Sequence, residues 1–182
     1  MPRWITVPNA LTLLRLILVP FIIRAVLAGR HTLALVLFAA AAVTDILDGA
    51  AARHFGQNTA SGAYLDPIAD KCLLSGVYLG LAVAGMVPWW FVAIILGRDI
   101  YILLGAVIVM LTTDVRKFPP SVWGKASTFV QIVTAVTWMA RNMLQISALD
   151  ALSSDMLWPC AAVTIWSGIH YTRLCIQVVR AH

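Results

Sequence analysis

The sequence predicts an all-α integral membrane protein: six transmembrane helices with both termini on the cytoplasmic side. Three observations carry this. Of 182 residues, 61% are hydrophobic and 12% charged, against roughly a quarter charged in a soluble domain. Six apolar segments recur along the chain, each close to the roughly 20 residues that a bilayer span needs. Lysines and arginines gather at alternate breaks between the segments, which orients the chain.

The first segment, 8–28, could be mistaken for a signal peptide. Arg15 and Arg24 interrupt its apolar run and no small-residue cleavage site follows, so it reads as mature structure. Gly29-Arg30-His31 breaks the chain before the second segment, 32–53, and the loop HFGQNTAS at 54–61 precedes the third, 63–86. Gly85 to Pro88 separates the third from the fourth, 88–112, and TTDVRKFPPS leads to the fifth, 122–146. SALDALSSD reads as a loop before the sixth, 157–179. No internal repeat or low-complexity tract is present, so residues 1–182 read as a single membrane domain.

With the N-terminus cytoplasmic, that side receives Arg3, Arg53, Arg116, Lys117, Lys125, Arg173 and Arg180. The other side receives Arg30, Arg141 and the acids Asp150 and Asp155, a positive-inside distribution. The net charge of +5 then reflects loop charge and anionic lipid rather than nucleic acid. Trp4, Trp89, Trp90, Trp123 and Trp158 fall near segment ends, where amphipathic rings favour the headgroup level. Cys72, Cys160 and Cys175 are scattered through apolar segments without CxxC spacing and read as buried free thiols.

One stretch breaks the apolar pattern: DILDGAAARHFGQNTASGAYLDPIAD, Asp45 to Asp70, with four aspartates. Asp45 and Asp48 are i, i+3 near the end of the second helix. Asp66 and Asp70 are i, i+4 near the start of the third, so each pair shares a face. The short connection makes the two helices antiparallel neighbours, and the pairs can then face one another across a cleft. Converging carboxylates near hydrocarbon repel and are costly to desolvate. A hard divalent cation (Mg²⁺, Mn²⁺ or Ca²⁺) relieves both costs with oxygen ligands alone, and four aspartates can hold one or two. Gly49 and Gly62 allow close approach of backbone and ligand, and Arg53 offers a planar fork to a phosphate. Helix-end charges snorkelling to water would explain one such pair but not two. The pattern points to chemistry on a pyrophosphate-linked lipid.

Asp45-x2-Asp48-Gly49-x2-Ala52-Arg53-x8-Gly62-x3-Asp66-x3-Asp70 resembles the signature of the CDP-alcohol phosphotransferase (CDP-alcohol phosphatidyltransferase) family. Pro8-Asn9-Ala10-Leu11-Thr12 with Arg15 is similar to the opening helix of its lipid-forming members, and Asp66-Pro67-Ile68-Ala69-Asp70-Lys71 to the start of their third. Gly97-Arg98-Asp99 and Gly124-Lys125-Ala126-Ser127-Thr128 with Gln131 extend the likeness. The resemblance implies a homodimeric six-helix membrane enzyme that transfers a phosphoryl-bearing group from a CDP-linked donor to an alcohol and releases CMP. It implies two divalent cations, Mg²⁺ or Mn²⁺, on Asp45, Asp48, Asp66 and Asp70, with Asp70 also acting as general base. Gly49, Arg53 and Gly62 would contact the cytidine diphosphate, with Thr59, Ser61, Asn9 and Thr12 as further donor-site candidates. The apolar helix surfaces favour CDP-diacylglycerol as donor, in a bacterial cytoplasmic membrane with the site on the cytoplasmic side.

The acceptor implied is glycerol 3-phosphate, as in phosphatidylglycerophosphate synthases, or phosphatidylglycerol, as in CMP-forming cardiolipin synthases. A small anionic acceptor needs its own cations, and the candidates are Arg98, Arg116, Lys117 and Lys125. Arg98 also admits a structural ion pair with Asp99. The chain departs from the glycerophosphate branch by reading Arg98-Asp99 where those enzymes tend to read Arg-Glu. The uncharged run Ile100 to Leu111 and Ser127 in place of a second lysine are further departures. Arg98-Asp99 and the uncharged run resemble the cardiolipin branch, whereas Gly124-Lys125 keeps the glycerophosphate form. Inositol phosphate and serine are lesser alternatives. A divalent-cation transporter would need inverted repeats with ionisable groups in both halves, and this chain has one acidic cluster at one boundary. His54 adjoins the motif and reads as an interfacial loop residue.

Overall fold

The computed structural model describes residues 7–55, 60–112 and 121–180; within these, the side chains at 7–9, 45–55, 60–68, 110, 112 and 178–180 fall outside the description. The described elements are all helical: α1 (Val7–Leu27), α2 (His31–Phe55), α3 (Ala60–Val83), α4 (Trp89–Thr112), α5 (Val122–Leu144) and α6 (Ser147–Arg180). α1 to α5 match the expected segments to within a few residues. Gly29 and Gly85 supply the left-handed residues, at φ +67° and +71°, that close α1 and α3. Behind each, an amide reaches back five residues, Arg30 to Ala25 and Met86 to Leu81, both at 2.9 Å, which satisfies carbonyls that a helix end leaves open.

α6 corrects the expected pattern. It begins at Ser147 rather than 157, so SALDALSSD is its first turns and not a loop. The break is only Gln145-Ile146, with Gln145 at φ 51° capping α5. Serines and aspartates suggest a loop, but the Ile146 carbonyl accepts the first helical bonds, from the amides of Leu149 and Asp150, and Asp150 places an acid in the positive first turn. Trp158 therefore lies inside α6 and not at a helix end, although it stacks on Trp90 at the start of α4, with centroids 5.1 Å apart.

The chain divides into two compact units. The first comprises α1, α2, α3 and the last residues of α5, Asn142–Leu144. Within it α1 packs against both α2 and α3. A Cβ on Gly76 would lie 2.8 Å from Val19 Cγ1, so this glycine lets α1 and α3 approach closely, whereas one on Gly80 would make ordinary contact with Ile23 at 3.6 Å. Ile22, Phe38, Val77 and Tyr78 are fully buried here.

The second unit comprises α4, the remainder of α5, and α6. Arg98 on Ser167 and Tyr101 on Thr172 show that α4 and α6 run parallel. α5 runs antiparallel to α6, since Ser127 meets Thr164 while Trp138 Nε1 donates to the Ser153 carbonyl. Apolar residues such as Phe91, Ile95, Ala135 and Met139 fill the unit. A buried polar cluster joins its helices: Gln131 Nε2 donates to Ser127 Oγ (3.3 Å) and to Thr164 Oγ1 (3.1 Å). Interhelical bonds of this kind hold helices together where no hydrophobic difference separates core from surroundings.

Ala10–Leu27 and Trp89–Val109 are long and apolar enough to cross a membrane, each with mean hydropathy 2.2. Both also bare large apolar side chains: Leu13, Ile17 and Phe21 on α1, and Leu103, Leu104 and Ile108 on α4. Cys160 is buried as expected and Cys175 half-buried, but Cys72 is exposed. The expected burial of Cys72 is thus overturned; a thiol behaves as a small hydrophobe and suits an apolar outer surface as well as a core.

Candidate active site

α1 presents Thr12 and Arg15 on one buried side, and both are fully enclosed. A guanidinium does not deprotonate in a protein, so a buried one needs an acid. Asp70 on α3 supplies it, with Arg15 Nη1 donating to Asp70 Oδ1 at 2.6 Å. The pair is lopsided: Arg15 is 0% exposed and Asp70 44%. Asp70 is thereby fixed in direction while part of its side chain stays accessible. The close approach of α1 to α3 at Gly76 sets this contact. Arg15 to Asp70, Val19 to Gly76 and Ile23 to Gly80 are successive contacts of two parallel helices.

Asp45, Asp48, Gly49 and Arg53 all fall on the continuous helix α2, and Ser61, Gly62, Asp66 and Asp70 on α3. The i, i+3 and i, i+4 spacings therefore do act on helices and put each aspartate pair on one helical face. The side chains of Asn9, Asp45, Asp48, Arg53, Ser61 and Asp66 lie outside the described residues, as does Thr59 altogether. Whether the pairs meet across one cleft rests on those side chains. Among the described residues no group of three His, Cys, Asp or Glu converges. The donor chemistry nevertheless fits a hard cation: Asp45, Asp48, Asp66 and Asp70 offer oxygen donors alone, and the one whose side chain is described, Asp70, is 44% exposed.

In the second unit Arg98 is buried, and its Nη1 donates to Asp99 Oδ1 at 2.8 Å. Its Nη2 donates to Ser167 Oγ, and among the described residues its Nε has no hydrogen-bond partner. A Cβ on Gly124 would lie 3.6 Å from Arg98 Nη2, so the start of α5 sits beside this arginine, and Lys125 follows on it, exposed. Ser121 and His170 Nδ1 are 3.1 Å apart, linking α5 to α6 close by. Arg98 and Lys125 thus belong to neighbouring elements, while Arg116 and Lys117 lie outside the described residues. Arg98 is engaged by Asp99 and Ser167 rather than presented as a bare cation.

The sequence reading uses Arg15 to set aside a signal peptide and as part of a resemblance, and gives no role to Gly76 and Gly80. The signals were present: an arginine inside an apolar helix is a functional candidate, and G-x-x-x-G in such a helix marks close packing. His170 had no such signal.

The sequence profile described as CDP-alcohol phosphatidyltransferase matches residues 5–167. The chain belongs to the CDP-alcohol phosphatidyltransferase family. Among members of that family it is 35% identical over 178 residues to a Mycobacterium tuberculosis protein named "Probable phosphatidylglycerophosphate synthase", covering 93% of this chain and 81% of the relative. It is 30% identical over 195 residues to the CMP-forming cardiolipin synthase of Rattus norvegicus and 29% identical to that of Homo sapiens, covering 96% of this chain and 64% of each relative. The family is one of transferases, and these relatives bear the names of phospholipid-forming synthases.

Proposed function

We propose that this protein transfers the phosphatidyl group of CDP-diacylglycerol to glycerol 3-phosphate and releases CMP. The observation that carries the reading is the family's eight-residue motif laid along α2 and α3, with Asp70 aimed by a buried arginine. Its setting is a single six-span domain in a bacterial cytoplasmic membrane, with both termini and the aspartates on the cytoplasmic side. It works there as a homodimer.

Asp70 accepts the proton of the acceptor hydroxyl as that oxygen attacks the diacylglycerol-bearing phosphorus and the bond to CMP breaks. Arg15 holds Asp70 in orientation for this transfer. Asp45, Asp48, Asp66 and Asp70 would hold one or two divalent cations, Mg²⁺ or Mn²⁺, which when bound neutralise the pyrophosphate and the departing CMP. Arg53, with Gly49, Gly62, Thr59, Ser61, Asn9 and Thr12, would seat the cytidine diphosphate. Lys125, with Arg116 and Lys117, would meet the acceptor phosphate.

A second reading, with phosphatidylglycerol as acceptor, is favoured by one observation. Arg98 is neutralised by Asp99, which removes a cation from the pocket a small anionic acceptor would need. CMP release from CDP-diacylglycerol in mixed micelles with Mg²⁺ tests both. Glycerol 3-phosphate is expected to support release; release with phosphatidylglycerol alone would establish the second reading. Asp70→Asn is expected to lower the rate about 10²–10⁴-fold, and Asp45→Asn, outside the Arg15 pair, to lower it as well. Undiminished release in both variants would overturn the assignment of the site.

A further inference from the structure

The end of α1 away from Asp70 carries a second collection of cations. Arg24 lies nine residues beyond Arg15 on α1, about 13 Å further along the helix axis, and Arg30 follows the Gly29 turn. Both are exposed, and among the described residues neither guanidinium has a hydrogen-bond or ion-pair partner. Arginines are depleted on the non-cytoplasmic side of a membrane protein, so two bare ones at that end ask for an anion.

The surroundings say which kind. Arg24 and Arg30 together line a groove of about 230 Å³ whose other walls are apolar, among them Phe21, Ala25, Leu33 and Leu37. Arg30 and Leu33 also line an adjoining cavity of about 430 Å³ with a more polar rim, including His31, Thr32 and Asn142. A free phosphate has no use for the apolar walls, and a bare acyl chain has none for the arginines. Together the two cavities offer an apolar channel, two guanidiniums and a polar recess in sequence. A phospholipid presents acyl chain, phosphate and headgroup alcohol in the same order.

We propose that the α1–α2 turn binds the phosphate of an anionic phospholipid from the membrane leaflet opposite the aspartates, as a site separate from the one that does the chemistry. The site rests on the membrane placement given above and not on the choice of acceptor. A bound lipid here would brace the turn through which α1 is held, and so respond to the anionic lipid content of the membrane in which the enzyme works.

The test is native mass spectrometry of the purified full chain with dioleoyl-phosphatidylserine, an anionic lipid that neither acceptor reading uses. Dioleoyl-phosphatidylcholine and inorganic phosphate serve as comparisons. The expected result is one retained phosphatidylserine that phosphatidylcholine does not replace, held at least tenfold more weakly by Arg24→Gln/Arg30→Gln. CMP release in detergent should persist in that variant, which shows that it folds. Leu33→Trp, which fills the groove and keeps both charges, should weaken retention too. Equal retention by wild type and both variants would overturn the proposal, as would equal binding of phosphatidylcholine. Complete displacement by inorganic phosphate would show a soluble-anion site instead, and overturn the lipid assignment.

Discussion

Arg15 and Asp70 show how unequal burial shapes an ion pair. Losing one partner of a fully buried pair costs roughly 3–5 kcal/mol. Here only the arginine is enclosed, and Asp70 is 44% exposed, so the two removals differ in kind. Asp70→Asn takes the carboxylate from an arginine that cannot reach water, and is expected to lower stability by about 2–3 kcal/mol. Arg15→Met leaves an acid that can still be solvated, and should cost about 1 kcal/mol while lowering kcat more than tenfold. Arg15→Lys keeps the charge without the planar fork and should recover stability before it recovers kcat. Thermal unfolding of the three variants in detergent, read beside CMP release, checks that ordering. The aspartate motif was legible in the sequence because its spacing is local to two helices. The pairing of Arg15 with an acid 55 residues away was not, since spacing along one helix says nothing of which other helix lies beside it.

At the scale of elements, glycine decides how near α1 comes to α3. In a helix interior, alanine for glycine gains about 1 kcal/mol from the backbone. At Gly76 the new Cβ meets Val19 Cγ1 at 2.8 Å, and overpacking of that kind costs about 1–3 kcal/mol. Gly76→Ala should therefore lower the Tm, and Gly76→Val lower it further along with activity, because the shift moves Arg15 off Asp70. Gly105 is the contrast, with its nearest atom, Tyr171 Cε1, an ordinary 3.8 Å away; Gly105→Ala should hold or raise the Tm. If Gly76→Ala also raises it, the close α1–α3 contact is not limiting. Helix ends were legible where glycine or proline marked them. The start of α6 was missed because Ser147, Asp150, Ser153 and Asp155 read equally well as a loop or as a helix opening, and what decides is packing: Arg141 Nε donates to Asp150 Oδ1 at 2.5 Å, and Trp138 Nε1 bonds the Ser153 carbonyl.

At the scale of the whole molecule, α6 is too long for the membrane it is proposed to cross. Its 34 residues span about 51 Å at 1.5 Å each, against a hydrocarbon core of roughly 30 Å. The eleven residues before Trp158, Ser147–Leu157, carry its acids and three of its serines, and they are expected to stand outside the bilayer on the side away from the termini. Ser154→Cys, in a background without the native cysteines, should react with a membrane-impermeant maleimide added outside intact cells. Reaction from the cytoplasmic face alone would reverse the orientation. Composition made the helical class legible from the start. The division into two compact units was not, because apolar segments of similar character recur throughout and nothing in hydropathy distinguishes a partner helix from a stranger.

The lopsided pair of Arg15 and Asp70 also bears on how the chain is made. Arg15 leaves the ribosome 55 residues before its acid, a gap of roughly 3–11 seconds at about 5–20 residues per second. Through that interval a helix with a charge near its middle must enter the bilayer at a cost of about 2.5–3.5 kcal/mol for the arginine alone. The Arg15–Asp70 bond therefore joins α1 to α3 only after α2 has been made. The first three helices are thereby bound into one step of biogenesis, which the arrival of Asp70 completes.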